Sequence, residues 1–193
     1  NAAGPAMLEL SSSVTQTIGT LNFGGSTGAA TSQGTILIGS GATLTLGGTV
    51  TYTMTGNTLA AYITGAGMLS VGGASRTFAV GDSTATATEL AISTPIKSVG
   101  AFGITLGPAT AFTNAGNLLS TGDNIYTGTT QVNTGAGTLT LAGNNSSVTG
   151  GTTLYGGTLA LDYTSNNNRK VGSGTLTLIG GAIVASGNAS AGS

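Results

Sequence analysis

The chain has 193 residues, of which 35 are glycine and only 5% are charged, and it contains neither histidine nor cysteine. Four lysine and arginine residues are too few to line a phosphate-binding groove, so the composition excludes a nucleic-acid-binding protein. The missing cysteine excludes disulfides and thiolate metal sites, and no apolar run approaches the 18 residues of a transmembrane helix.

A five-residue phrase, Gly-Thr followed by alternating apolar residues, recurs along the chain. It begins at Gly19, Gly34, Gly48, Gly137, Gly157 and Gly174. Apolar residues that alternate with small or hydroxyl residues indicate a strand with one face turned inward. Because a five-residue strand cannot bury that face alone, the copies must stack on one another. The repeat therefore predicts an all-β solenoid, with an antiparallel sandwich as the alternative.

In chain order, the repeat predicts regular coils over residues 1–92, a less regular section over 93–125, and coils again over the remainder. Pro95 and Pro108 lie in the middle section and cannot donate to a central ladder, which predicts irregular corners there. We treat residues 1–193 as one domain. At about 20 residues per coil, the chain would form roughly nine coils.

Longer phrases resemble a known family. TQTIGTLNFGG from Thr15, TLTLGGTVTY from Thr43 and NIYTGTTQVNTGAGTLTLAG from Asn124 resemble the autotransporter-associated β-strand repeat proteins, and the resemblance covers most of the chain. It implies a right-handed parallel β-helix and secretion across the bacterial envelope to an extracellular or cell-surface location. Adhesion, surface coating and display are the roles that it implies.

The residues that catalysis needs are scarce. General acid–base chemistry requires a positioned pair of titratable groups, and the chain offers five acids that are far apart in sequence. These acids are Glu9, Asp82, Glu89, Asp123 and Asp162. We therefore predict no enzyme and no catalytic, cofactor-binding or metal site. A polysaccharide lyase or hydrolase is the enzymatic alternative, since such enzymes use parallel β-helices with clustered acids.

One polar loop is a candidate contact surface. Arg169 and Lys170 stand together in SNNNRKV, where they would meet an anionic glycan or a neighbouring subunit. The alternative, which we favour, is a solvated turn.

These features favour a non-enzymatic structural protein whose partner is itself. Neither end of the sequence, NAAGPAM or GNASAGS, resembles a solenoid cap, and uncapped strand edges recruit further strands. We expect an extracellular fibre or surface layer, built from coils that continue in a longer polypeptide or stack between copies. An adhesin that binds a glycan or a host surface is the alternative.

Overall fold

In the computed structural model, residues 6–24, 33–53, 58–107 and 115–187 are described, and they fold as strands and turns. They wind into a parallel β-solenoid of about six turns, with no helix in these ranges that could span a membrane. The predicted all-β parallel β-helix is therefore confirmed, and the predicted number of roughly nine coils is wrong. Pro108 and the sequence ends 1–5 and 188–193 lie outside the described residues.

Three stacks of parallel strands, here called the first, second and third ladders, form the walls of the solenoid. The first ladder contains β1 (Ala6–Leu10), β4 (Gly34–Ile38), β7 (Ala61–Thr64), β10 (Leu90–Ile92), β13 (Leu118–Ser120) and β17 (Ala182–Gly187). The second contains β2 (Thr15–Ile18), β5 (Thr43–Leu46), β8 (Met68–Ser70) and β11 (Ile96–Lys97). The third contains β3 (Leu21–Phe23), β6 (Val50–Tyr52), β9 (Arg76–Val80), β12 (Ile104–Gly107) and β16 (Leu176–Leu178).

Two long strands connect these walls. β14 (Thr130–Leu141) and β15 (Thr152–Tyr163) each begin in the third ladder and end in the first. The bend between the two walls lies within these strands, and the register of β14 on β15 shifts there, after Val132 and after Asn133. A bulge of this kind turns a strand without ending it.

The length of a coil explains the lower number of turns. Ladder partners are 28 positions apart at the start of the chain, as in Ala6 and Gly34, and 20 positions apart later, as in Thr138 and Thr158. The early coils are longer because a whole segment outside the strands, such as residues 81–89, joins the third ladder to the first. The later coils make the same turn inside β14 and β15.

Side chains of like character stack in rows inside the solenoid. One row of paired residues in the first ladder runs through every turn, from β1 to β17. Its members are Leu8, Ile36, Ile63, Ile92, Ser120, Leu141, Leu161 and Ala185. Alternation along each strand turns these residues inward and their neighbours outward. Burial of such rows is the main stabilising contribution to the fold, at about 25 cal/mol per Å² of apolar surface.

The Gly-Thr copies serve two different walls. Gly19, Gly48 and Gly174 precede strands of the third ladder, whereas Gly34, Gly137 and Gly157 lie at the start of first-ladder pairings. At Gly157 the backbone has a φ of +81°, a left-handed conformation that side chains disfavour. At Gly137 an added Cβ would lie 2.6 Å from the carbonyl oxygen of Gly116 in the next coil.

The section 93–125 continues the ladders where the structure describes it. β11, β12 and β13 each pair in parallel with the coils before or after them. Pro95 lies in the turn before β11, and its carbonyl oxygen accepts a hydrogen bond from Leu69 N–H at 3.0 Å. A proline in this turn still supplies an acceptor to the neighbouring coil.

Candidate functional site

The acidic side chains are spread over the solenoid. Within the described ranges, no group of three or more acidic, histidine or cysteine residues is placed to hold a metal ion. Glu9 is exposed on β1, and the Oδ1 atom of Asp123 accepts a hydrogen bond from Asn144 N–H at 2.8 Å. A hydrogen bond from the Thr164 hydroxyl, with a second from its N–H, lowers the pKa of Asp162. Asp162 thus makes a local turn contact, whereas Asp123 binds a backbone group of the following coil.

Glu89 is the buried exception, with 0% of its surface exposed. Its Oε1 accepts a hydrogen bond from Ser83 N–H at 3.2 Å, and its Oε2 accepts one from Asn117 N–H at 2.6 Å. Burial raises the pKa of Glu89 despite these two bonds, and the charge of Asp82 raises it further. The side chain therefore ties the segment after β9 to the segment before β13. Its contacts are structural, because both oxygens are already bound to backbone groups.

A chain of buried amides extends the second ladder beyond β11, and we call it the asparagine chain. Ile96 N–H donates to Asn124 Oδ1 at 3.0 Å, and Asn124 Nδ2 donates to Asn145 Oδ1 at 2.8 Å. Asn145 Nδ2 then donates to the Lys170 carbonyl oxygen at 2.6 Å. Buried polar groups need such partners, since an unpaired one costs about 1–3 kcal/mol. The asparagine chain thus adds side-chain hydrogen bonds to the backbone bonds between these coils, such as Ile125 N–H to the Ile96 carbonyl oxygen at 2.8 Å.

The two predicted basic contact residues have different surroundings. Arg169 is exposed, whereas Lys170 is 0% exposed. Lys170 Nζ donates to the Ala142 carbonyl oxygen at 2.5 Å and to Asn166 Oδ1 at 2.6 Å, and it lies 5.4 Å from the centre of the Tyr163 ring. Burial lowers the pKa of Lys170. Lys170 is therefore an internal anchor with no surface to offer a partner, and a contact role stays a prediction for Arg169.

The two ends of the ladders present unpaired strand edges. In the described part of the chain, β1 pairs with β4 alone and β17 pairs with β15 alone. We call the outer edge of β1 the N-terminal edge, and the outer edges of β16 and β17 the C-terminal edge. Leu178 and Ile179 are 61% and 64% exposed at the C-terminal edge, although both are large and apolar.

The C-terminal edge also contains an apolar pocket. It is lined by Leu154, Leu178, Ile179, Gly180, Gly181 and Ile183. No ionisable side chain occurs in residues 171–187. What this surface offers is backbone N–H and C=O groups and aliphatic side chains. Those are the groups with which one coil binds the next.

No family model, no curated protein and no solved structure matches this chain. The most distinctive features of the described residues are the unpaired strand edges and the continuous rows of paired residues between them.

The sequence analysis did not identify the asparagine chain or the buried Glu89. The asparagine chain involves Asn124 and Asn145, which stand in turn-like segments with Gly, Ser and Thr neighbours. Their spacing of 21 positions matches the 21 positions between the paired Leu118 and Leu139, and this is a signal that could have revealed them. Glu89 gave no comparable signal, because its two partners come from loops of different coils.

Proposed function

We propose that this chain is a non-enzymatic structural protein of the bacterial cell surface. It forms an extracellular fibre or surface layer through stacking of β-helix coils, within a longer polypeptide or between copies. The observation that supports this most strongly is the first ladder, which runs from β1 to β17 and leaves both outer edges unpaired among the described residues. Such edges accept further strands.

Two further observations support the proposal. A net charge of −1 on 193 residues provides little repulsion between copies or neighbouring chains. The resemblance of the Thr15, Thr43 and Asn124 phrases to autotransporter-associated repeats supports secretion and a surface location. Stability that rests on aliphatic rows and ladder hydrogen bonds suits an extracellular environment, since it depends little on salt.

Immunogold electron microscopy of the producing cells tests this proposal. Antibodies raised against the 193-residue chain are expected to label fibres or a layer outside the cell. Gel electrophoresis of the labelled material, with mass spectrometry, would then give the length of the native polypeptide. Label confined to the cell interior would overturn the proposed location and with it the structural role.

An adhesin is the second candidate, and the corner between the third and first ladders favours it. In the third coil, the described segment 81–89 connects those ladders, whereas later coils turn within β14 and β15. A segment of this length at the corner would enlarge the surface on that side of the solenoid. A glycan array probed with the purified chain tests this candidate, and the absence of any bound glycan would count against it.

A further inference from the structure

The C-terminal edge of the solenoid has the character of an interior surface. Leu176 and Leu178 are exposed there, although β16 continues the third ladder and places them in the rows of Thr152 and Leu154. Thr152 and Leu154 are buried, because the next coil covers them. Another coil of parallel strands is therefore the kind of surface that would bury these exposed side chains.

The N-terminal edge supplies strands of the required direction. Residues 6–9 of β1 are exposed, and Leu8 is 44% exposed although it belongs to the inward row. Every pairing in the first ladder is parallel, so a second copy related by translation along the solenoid axis would present β1 to β17 in that same direction. The resulting contact would repeat the one that already joins neighbouring coils.

The side chains of the two edges also fit one another. The row that starts at Leu8 ends at Ala185, so an unbroken register places Leu8 of a second copy beside Ala185, a large residue beside a small one. Residues 171–187 carry no charge. Glu9 is the acidic residue of β1, and its partner Leu37 belongs to the alternate, outward set. No charge would therefore be buried in the contact.

We propose that the C-terminal edge of one copy binds the N-terminal edge of a second copy, head to tail, with β17 pairing in parallel with β1. This inference rests on the structural role proposed above and names its partner. A head-to-tail contact is heterologous and leaves one free edge at each end, so it generates open filaments rather than closed dimers.

Two single substitutions that block opposite edges test the proposal. Leu8→Asp places a carboxylate in the contact from the β1 side, and Ala185→Lys places an ammonium group there from the β17 side. Thr121→Asp and Thr121→Lys, at an exposed position outside both edges, are the matched controls. Circular dichroism and thermal melting would establish that all four variants fold. Light scattering after size-exclusion chromatography would then measure association.

The unmodified chain and both Thr121 variants are expected to form concentration-dependent filaments. Each edge variant alone should be monomeric, with association weakened by at least about tenfold. A mixture of the two edge variants should form a 1:1 complex, because Ala185→Lys retains an intact β1 and Leu8→Asp retains an intact β17.

Three results would overturn the head-to-tail contact. They are an unmodified chain that stays monomeric at every concentration, a Leu8→Asp variant that still self-associates through its C-terminal edge, and a mixture that remains monomeric while the unmodified chain assembles. None of these results affects the labelling of fibres on cells, so they separate failure of this contact from failure of the structural role.

Discussion

At the residue scale, buried polar side chains connect neighbouring coils in addition to the ladders. Glu89 and the asparagine chain each accept or donate hydrogen bonds between segments that are 21 to 28 positions apart. Ladder hydrogen bonds join the same neighbouring coils through their strands. Side chains of this kind add connections at Glu89, Asn124 and Asn145, which lie outside the strands.

Glu89→Ala is expected to lower the free energy of unfolding at pH 7 by about 2 kcal/mol. The substitution removes the Glu89 acceptor from the N–H groups of Ser83 and Asn117. Loss of such a bond at a buried group costs about 1–3 kcal/mol, and the gain from no longer burying a carboxylate offsets part of it. Urea unfolding followed by circular dichroism measures the change. Glu9→Gln, at an exposed position on β1, serves as the control, and an equal effect of both substitutions would contradict this role.

The pH dependence of stability offers a second test of Glu89. Because burial raises its folded-state pKa above 4.5, the folded chain holds the proton more tightly than the unfolded chain does. The stabilising contribution is present below pH 4.5 and is lost as the pH rises through the raised folded value. The melting temperature should therefore fall across that window, and the fall attributable to Glu89 should vanish in Glu89→Gln. A slope that Glu89→Gln leaves unchanged would assign the effect to other groups.

Asn145→Ala should destabilise the chain by about 2–4 kcal/mol. It removes the side-chain donor to the Lys170 carbonyl oxygen and one of the two acceptors of Asn124 Nδ2, the other being Ser120 Oγ at 3.0 Å. Asn167→Ala, at an exposed position of the neighbouring loop, should change stability by less than about 0.5 kcal/mol. Chemical unfolding of the two variants gives the comparison. Similar stabilities would show that the asparagine chain contributes little.

At the element scale, the strands were predictable and their assignment to walls was not. The Gly-Thr phrase correctly marked strands such as β4 and β6. It could not show that β4 lies in the first ladder and β6 in the third, because both walls need the same alternation of inward and outward residues. The sequence likewise gave no sign of how many residues each corner uses. Coils of about 20 residues were therefore expected, whereas the early coils use 28.

Gly157→Ala tests the bend within β15. The backbone there has a φ of +81°, and a left-handed residue other than glycine costs about 1–2 kcal/mol. Gly135→Ala, where nothing lies within 4 Å of an added Cβ, is the matched control and should be near neutral. Thermal unfolding of both variants measures the difference. A Gly157→Ala variant as stable as the control would show that the bend tolerates a side chain.

At the scale of the whole molecule, the repeat predicted a solenoid, with an antiparallel sandwich as the alternative. Each coil contacts only its neighbours, so six copies of the Gly-Thr repeat were enough to indicate stacking. The location of Lys170 could not be read in that way, since a basic residue in a polar loop is ordinarily solvated, and its burial depends on Ala142 and Asn166 of the folded coil. The character of the two edges likewise emerged only once the ladders were in place.

Fibre diffraction from oriented filaments of the purified chain tests the central claim most directly. Stacked coils place their strands across the fibre, so a strong meridional reflection at about 4.8 Å is expected along the fibre axis. A chain that stays monodisperse at high concentration, or filaments whose 4.8 Å spacing runs across the axis, would contradict assembly by end-to-end stacking of coils.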